Sequence, residues 1–347
     1  MPPHERRSEL PAERELFRRR LHRWFARHGR DLPWRQTRDP YAVLVSEFML
    51  QQTQVATVLP YYKKWLERFP SFGALARAPE NDVLHAWQGL GYYARARNLH
   101  GTAKAVVDQY RGNFPRRTDQ TRDLPGIGKY TANAIATFAF DESVPIVEAN
   151  TARVLARLFN LQAPVDQSIG RKALWDHATS LLPGKGARAY NSALMDLGAL
   201  ICLPRPKCAI CPVRKFCRAS NPENLPRKKS RPELQNLTEN HAFVVRSNEI
   251  LLEQSSSRWR NMWILPASPR KATAQGVTPE CFKHLSLSER PIHTLVFPFT
   301  HHRVKLRVFS ERMRKIDTRN QRWIPIGALD SIPIPSPHRR AIAALLS

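Results

Sequence analysis

The chain has 347 residues, room for two domains with cores of their own. Lys and Arg number 55 against 29 Asp and Glu, a formal net charge of +26. That excess points to a polyanionic partner, nucleic acid before any other, while the lack of a long apolar run excludes a transmembrane helix.

The N-terminus, Met1 to Arg20, mixes Arg with Glu5, Glu9, Glu13 and Glu15 and has no apolar core. A secretory signal or transit peptide is therefore not expected. The expected setting is a reducing cytoplasm, beside the nucleoid if the source is bacterial.

From Glu9 to Cys217 the apolar period is helical. Asp39-Pro40 reads as a cap followed by proline in the first turn, and one helix is expected from Tyr41 to Leu59. Glu47 falls on the apolar side of that helix, three residues after Leu44 and three before Leu50. Burial there raises a carboxyl pKa and keeps a proton available near neutral pH, as a general acid requires. A buried glutamate paired with an arginine would occupy the same position. Pro70, Pro79, Pro115 and Pro125 punctuate further short helices.

Leu124-Pro125-Gly126-Ile127-Gly128 leads directly into a helical stretch, Lys129 to Phe140. Gly126 and Gly128, with Lys129 beside them, let backbone N–H groups approach an anion at a helix N-terminus. The turn follows a helix rather than a strand, so a dinucleotide-binding loop does not fit. A hairpin gripping a DNA phosphate, or a simple turn, does. Glu148 precedes Asn150-Thr151 and the helical run Ala152 to Phe159, where the helix dipole is expected to keep it ionised. One acid pushed up and one held down is the pairing that cleaves a glycosidic bond. Capping alone would also account for Glu148.

Cys202, Cys208, Cys211 and Cys217 are separated by five, two and five residues. Four thiolates in so short a loop indicate a metal centre rather than disulfides. Zinc sites usually pair their cysteines around a longer spacer, so this run suits a four-iron cluster better. Arg205, Lys207, Arg214, Lys215 and Arg218 are interleaved with the ligands, as a loop that presents cations to phosphates would have them. Cys281 stands alone in the second domain and is expected to be dispensable.

Residues 221–240 shift to linker composition, and the period then becomes that of strands. His241 to Ser247 and Glu249 to Gln254 are expected to pair through a tight turn at Ser247-Asn248. Thr294 to Phe299 and Arg303 to Phe309 follow, then a closing helix from Pro337 to Leu346. The expected architecture is multidomain: an all-α domain over 1–220, a linker over 221–240 and a smaller α+β domain over 241–347.

Five segments occur in order: Leu50-Gln51-Gln52-Thr53-Gln54-Val55, then Gly89-Leu90-Gly91-Tyr92-Tyr93-Ala94-Arg95-Ala96-Arg97-Asn98-Leu99, the hairpin, Met195-Asp196-Leu197-Gly198 and the cysteine cluster. Over nearly the whole chain they resemble the A/G-specific adenine DNA glycosylases (the MutY type) of the helix-hairpin-helix, endonuclease III-like superfamily. The resemblance implies a helical glycosylase domain with one [4Fe-4S] cluster on the four cysteines. It also implies a Nudix-like domain that binds rather than hydrolyses, since no glutamate-rich Nudix signature is present. The implied activity is removal of adenine mispaired with 8-oxoguanine or guanine in double-stranded DNA, by a monomer.

By the same resemblance, Glu47 protonates adenine at N7 and later helps activate water, and Tyr130 supports the acid and the sugar. Glu148 and Asn150 stand where the family has the acid and amide of its Asp-Gly-Asn. Arg30, Trp34, Arg35 and Leu50 line the adenine pocket, and Gln51 and Tyr92 wedge into the base stack. Phe299-Thr300-His301 falls where the family's Phe-Ser-His reads oxidised guanine, with the hydroxyl surviving as Thr300. Bifunctional relatives carry a lysine at the Tyr130 position; here lysine is one residue earlier, Lys129, which implies a monofunctional enzyme. Besides Glu148-Ala149-Asn150, the chain departs from the family in a first cysteine spacing one residue shorter and in Ser192 replacing a longer Gln or Glu. Two alternatives remain: a thymine or uracil mismatch glycosylase of the same superfamily, which would not need the Phe299 to His301 module, and a lesion-binding protein with weak catalysis.

Overall fold

A computed structural model describes residues 11–230, 233–267, 290–311 and 318–347; Cys281 lies outside them. The first part is helical, with α1 (Pro11–His28), α2 (Pro33–Gln36), α3 (Pro40–Leu50), α4 (Val55–Arg68), α5 (Phe72–Arg77) and α6 (Glu80–Ala86). It continues with α7 (Ala94–Tyr110), α8 (Thr118–Arg122), α9 (Lys129–Phe140), α10 (Ala149–Leu158), α11 (Ser168–Leu181) and α12 (Ala187–Asp196). Asp39 caps α3 as its sequence predicts, accepting the Tyr41 amide at 3.0 Å with Pro40 in the first turn.

The single helix expected from Tyr41 to Leu59 is two, α3 and α4, parted by residues 51–54. Gln52 has φ of 56°, a left-handed conformation that a right-handed helix does not hold. The Gln-Gln-Thr-Gln run contains neither Gly nor Pro, so the apolar period reads straight through the break. α3 is buried from Tyr41 to Met49 and packs on α9, itself buried from Thr131 to Ala139. A second core joins Phe17 and Leu21 of α1 to Val154 and Leu155 of α10, Leu174 of α11 and Leu194 of α12. α12 runs on into a π turn, Leu197–Ile201. A Cβ on Gly198 would meet the Asn150 Cβ at 2.7 Å and its carbonyl oxygen at 2.9 Å, so glycine lets this turn lie against α10.

The later part contains β1 (Gln235–Phe243), β2 (Val245–Arg246), β3 (Glu249–Gln254), β4 (Trp263–Ile264), β5 (His293–Phe299), β6 (His302–Ser310) and β7 (Gln321–Pro325), then α13 (Ser336–Leu346). One sheet has the order β1-β6-β5, with β6 parallel to β1 and antiparallel to β5. In the other, β3 pairs with β2, β4 and β7. The turn at Ser247-Asn248 forms where the alternation predicts it, with Arg246 opposite Glu249. β1, however, starts at Gln235, inside the stretch expected as linker. Its first residues are polar and exposed, which is why their composition does not announce a strand.

By packing, the described residues form two compact units. One comprises Met1–Gln52, Ser71–Gly73 and Gly101–Ser230; the other comprises Thr53–Pro70, Ala74–His100 and Arg231–Ser347. Within the second, Glu80 of α6 accepts from the Asn261 amide at 3.0 Å, and Gln88 accepts from the Ile334 backbone at 3.2 Å.

Candidate active site

Glu47 sits on α3 at 4% exposure. Burial pushes its carboxyl up to about 7, the Tyr130 hydrogen bond and Arg35 pull it down, and the charge of Glu148 raises it further. Its Oε2 has no hydrogen-bond partner among the described residues. Tyr130, in the first turn of α9, has its phenol driven well above 10 by burial and by the two nearby glutamates, so it remains a neutral donor. The structure thus brings Glu47, Tyr130 and Glu148 together from three helix segments.

Glu148 is the N-cap of α10 and closes a capping box. Its carboxylate accepts the Asn150 and Thr151 amides, both at 2.8 Å, and its own amide donates to the Thr151 hydroxyl at 2.8 Å. The helix end does not hold its pKa down as expected. Burial outweighs the two backbone donors, Arg153 and Arg30, and the net shift is upward. The two acids are therefore distinguished by partners: Glu148 has amides on both oxygens, and Glu47 has one oxygen bare.

Asn150 is fixed by Arg153, which donates to its Oδ1 at 2.8 Å, to the Gly198 carbonyl at 2.8 Å and to the Cys202 carbonyl at 2.7 Å. Sequence reasoning misses Arg153, although its spacing of three from Asn150 on one helix is a usable signal. It also misses Asp196 as a site residue. The Asp196 side chain is fully buried and accepts from Arg35 twice at 2.8 Å, and from the Arg30 amide and Nε at 2.8 Å each. Arg30 and Arg35 thus meet on one carboxylate. Trp34 is core at 7% exposure, and Leu50 is half-buried at the end of α3.

Gly126 adopts φ of 72° and is exposed, as is Gly128, the N-cap of α9. The Lys129 ammonium lies 3.9 Å over the Trp175 ring. Lys129, Trp175, Glu148, Arg153 and Arg171 line a cavity of about 720 Å³. Gln51 is half-buried at the C-cap of α3. Tyr92 is 45% exposed with a left-handed φ of 47°. Its loop is held by buried Arg95, which donates to the Leu90 and Gly91 carbonyls at 2.8 and 3.1 Å and stacks 5.6 Å from the Tyr92 ring.

Cys202, Cys208, Cys211 and Cys217 are free thiols. Burial pushes Cys211 up to about 11, and the other three thiols add to the rise, so all four lie within electrostatic reach of one another. Arg157, 2% exposed, closes the loop by donating to the Cys202 sulfur at 3.3 Å and to the Leu203 and Pro204 carbonyls at 2.6 and 2.8 Å. Among the described residues, no group of three or more His, Cys, Asp or Glu side chains is placed to hold a metal ion. In the second unit, Phe299, Thr300 and His301 form the tip of the β5–β6 hairpin. Phe299 is stacked by Arg258 at 4.3 Å, while Thr300 (φ 52°) and His301 are exposed.

Residues 45–177 match the HhH-GPD superfamily of base excision DNA repair proteins, and residues 241–344 match the NUDIX domain. The chain is 39% identical over 272 residues to the adenine DNA glycosylase of Rattus norvegicus, an alignment covering 76% of this chain and 52% of that protein. It thus spans about half the length of this relative. It is 33% identical over 266 residues to the adenine DNA glycosylase of Buchnera aphidicola subsp. Acyrthosiphon pisum (strain APS), covering 75% of this chain and 76% of that one. The solved structure of a thermostable thymine-DNA glycosylase superposes with a TM-score of 0.56 at 35% identity, covering 60% of this chain and 96% of that chain. With both domains matched in order and a relative aligned over most of its length, the chain belongs to the adenine DNA glycosylase family of the HhH-GPD superfamily.

Proposed function

We propose that the protein is a monofunctional DNA glycosylase that hydrolyses the N-glycosidic bond of adenine mispaired with 8-oxoguanine or guanine, opening base excision repair. The observation that carries this reading is Glu47: a buried carboxyl pushed up to about 7, with one oxygen unengaged and a second carboxylate near enough to raise it further. An acid with a pKa near the working pH is the efficient proton donor.

In this reading the adenine leaves the stack, with Gln51 and Tyr92 filling the gap. Glu47 gives its proton to N7, and the base departs with the electrons of its bond to the sugar. The positive charge left on the deoxyribose is stabilised by Glu148, whose carboxylate is oriented by two backbone amides. Water adds to the sugar carbon and its proton returns to Glu47. Lys129 is not the attacking amine, in keeping with its ammonium resting on Trp175. Arg30 and Arg35, joined by Asp196, border the adenine with Trp34 and Leu50, and Thr300 and His301 read the base opposite.

The cysteine loop fits one [4Fe-4S] cluster. Four thiols within electrostatic reach of one another, with Arg157 donating to the Cys202 sulfur at 3.3 Å, are the donor set such a cluster takes. Bound there, the cluster would serve as a structural pin for the loop. Arg205, Lys207, Arg214, Lys215 and Arg218 are all exposed on that loop. Purified protein is expected to hold about four iron and four sulfide per chain; stoichiometric zinc without iron would contradict the assignment.

The function is tested by incubating the full chain with duplexes carrying A:8-oxoguanine, A:G, T:G or U:G, then cleaving abasic sites with alkali. Release from the two adenine duplexes alone is the expected result. The thymine reading draws on the 35% identity to the thymine-DNA glycosylase structure, and product from T:G would favour it. Tight binding with no release from any duplex would favour a lesion-binding protein.

A further inference from the structure

We infer that the outward face of the β1-β6-β5 sheet is a second DNA-binding surface, a cationic track for phosphates leading away from the hairpin tip. The inference rests on the glycosylase reading only in taking DNA as the partner engaged at that tip.

β6 is the central strand, and its residues alternate strictly over most of its length. Val304, Leu306 and Val308 are fully buried on the inner face. Arg303, Lys305 and Arg307 take the opposite face, with Arg303 and Lys305 exposed and Arg307 half-buried, its guanidinium 5.2 Å over the ring of buried Phe309, which with buried Asn240 closes the far end of the row. The flanking strands place Asn236, Thr238 and Asn240 on one side of these cations, and Pro298, Val296 and Thr294 on the other. None of these six neighbours is a carboxylate. Glu239, the acid of β1, is in register with Leu306 and so belongs to the inner face, where it pairs with Arg258 at 2.9 Å.

An ordinary soluble surface intersperses both signs, as the β2–β3 hairpin does with Arg246 paired to Glu249 at 3.0 Å. Here three cations share one strand face with neutral strand neighbours. Along a strand, alternate residues repeat at about 6.6 Å, so the three cations span about 13 Å, a length over which a DNA backbone offers more than one phosphate. The row also begins at Arg303, two residues after His301. A duplex whose modified base meets the tip therefore carries its backbone onto this face. Cations of this kind bind phosphate without reading sequence, so they add affinity and register while the tip adds specificity.

The test compares the full chain with the triple variant Arg303→Gln/Lys305→Gln/Arg307→Gln. The probe is a duplex with 8-oxoguanine opposite a tetrahydrofuran abasic-site analogue, followed by fluorescence anisotropy across a salt series. The plot of log Kd against log salt is expected to become shallower by about two to three, at about 0.9 for each phosphate no longer neutralised. The affinity ratio between this duplex and its unmodified-guanine counterpart is expected to stay at the parent value. A charge-retaining variant, Arg303→Lys/Arg307→Lys, is expected to keep the parent slope. An unchanged slope in the triple Gln variant overturns the proposal and leaves the face to an acidic protein partner. Equal loss of slope in the Lys variant overturns it too, by tracing the effect to folding. The glycosylase reading fails separately, through a parent that releases no base, and the salt comparison is readable either way.

Discussion

Glu47 keeps its proton into the neutral range because Tyr130 and Arg35 only partly offset its burial. A carboxyl whose pKa rises from 4.5 unfolded to about 7 folded stabilises the protein fully below 4.5 and loses that contribution as pH climbs through 7. Above that window its ionisation costs about 3 kcal/mol. Glu47→Gln is therefore expected to abolish adenine release yet melt above the parent at about pH 8, with the gap closing near pH 5. Equal melting offsets at both pH values would mean that the carboxyl is not held neutral. Single-turnover release by the parent should likewise fall as pH rises past 7, as the proton is lost. For Glu148 the expectation is different, because its oxygens already cap α10. Glu148→Gln should lose base release with DNA affinity nearly intact, at a cap cost of about 1 kcal/mol; release at the parent rate would remove it from the chemistry. Glu148→Asp should retain some activity, since it keeps the charge on a stem shorter by one methylene. That Glu47 lies buried among apolar neighbours is legible from its spacing. The upward shift of Glu148 is not, because local sequence shows the helix end that caps it and not the burial that outweighs that cap.

Local signals serve well for elements whose ends are set locally. The Asp39 cap, the glycine hairpin before α9 and the turn at Ser247-Asn248 each depend on a few adjacent residues, and each forms where those residues place it. The break after Leu50 escapes notice because no glycine or proline marks it. The Asp196 clamp escapes because its arginines lie 161 and 166 residues away. That clamp ties the segment around α2 to the end of α12, and its carboxylate is wholly buried. Asp196→Asn, which leaves two guanidinium groups sharing a neutral amide, is expected to cost about 3–5 kcal/mol by chemical denaturation. A loss below about 1 kcal/mol would class the cluster with surface ion pairs.

At the scale of the whole molecule, the second unit carries its own acid sensitivity. His338 on α13 is fully buried, its Nδ1 accepts the Leu265 amide at 3.2 Å, and its ring lies 4.7 Å from His241 and 4.9 Å from Trp259. Burial, with His241 and Arg258 adding, holds it well below 6.5. A depressed folded pKa gives stability that is present above 6.5 and lost as pH falls toward the folded value. Melting of the parent is thus expected to decline below about pH 6.5, and His338→Gln to flatten that decline; an unaltered slope would place the acid sensitivity elsewhere. The division into two units also governs how the protein is made. Residues 53–70 and 74–100 pack with a segment that ends at residue 347, so they emerge from the ribosome long before their partners. At about 5–20 residues per second, that wait runs to roughly 12–50 seconds. The first unit, complete at residue 230, is able to close earlier. During that interval Trp65 of α4 can already pack on Trp87, the two rings 5.3 Å apart in the finished protein, while Asn261 and Ile334, the partners of Glu80 and Gln88, have yet to be made.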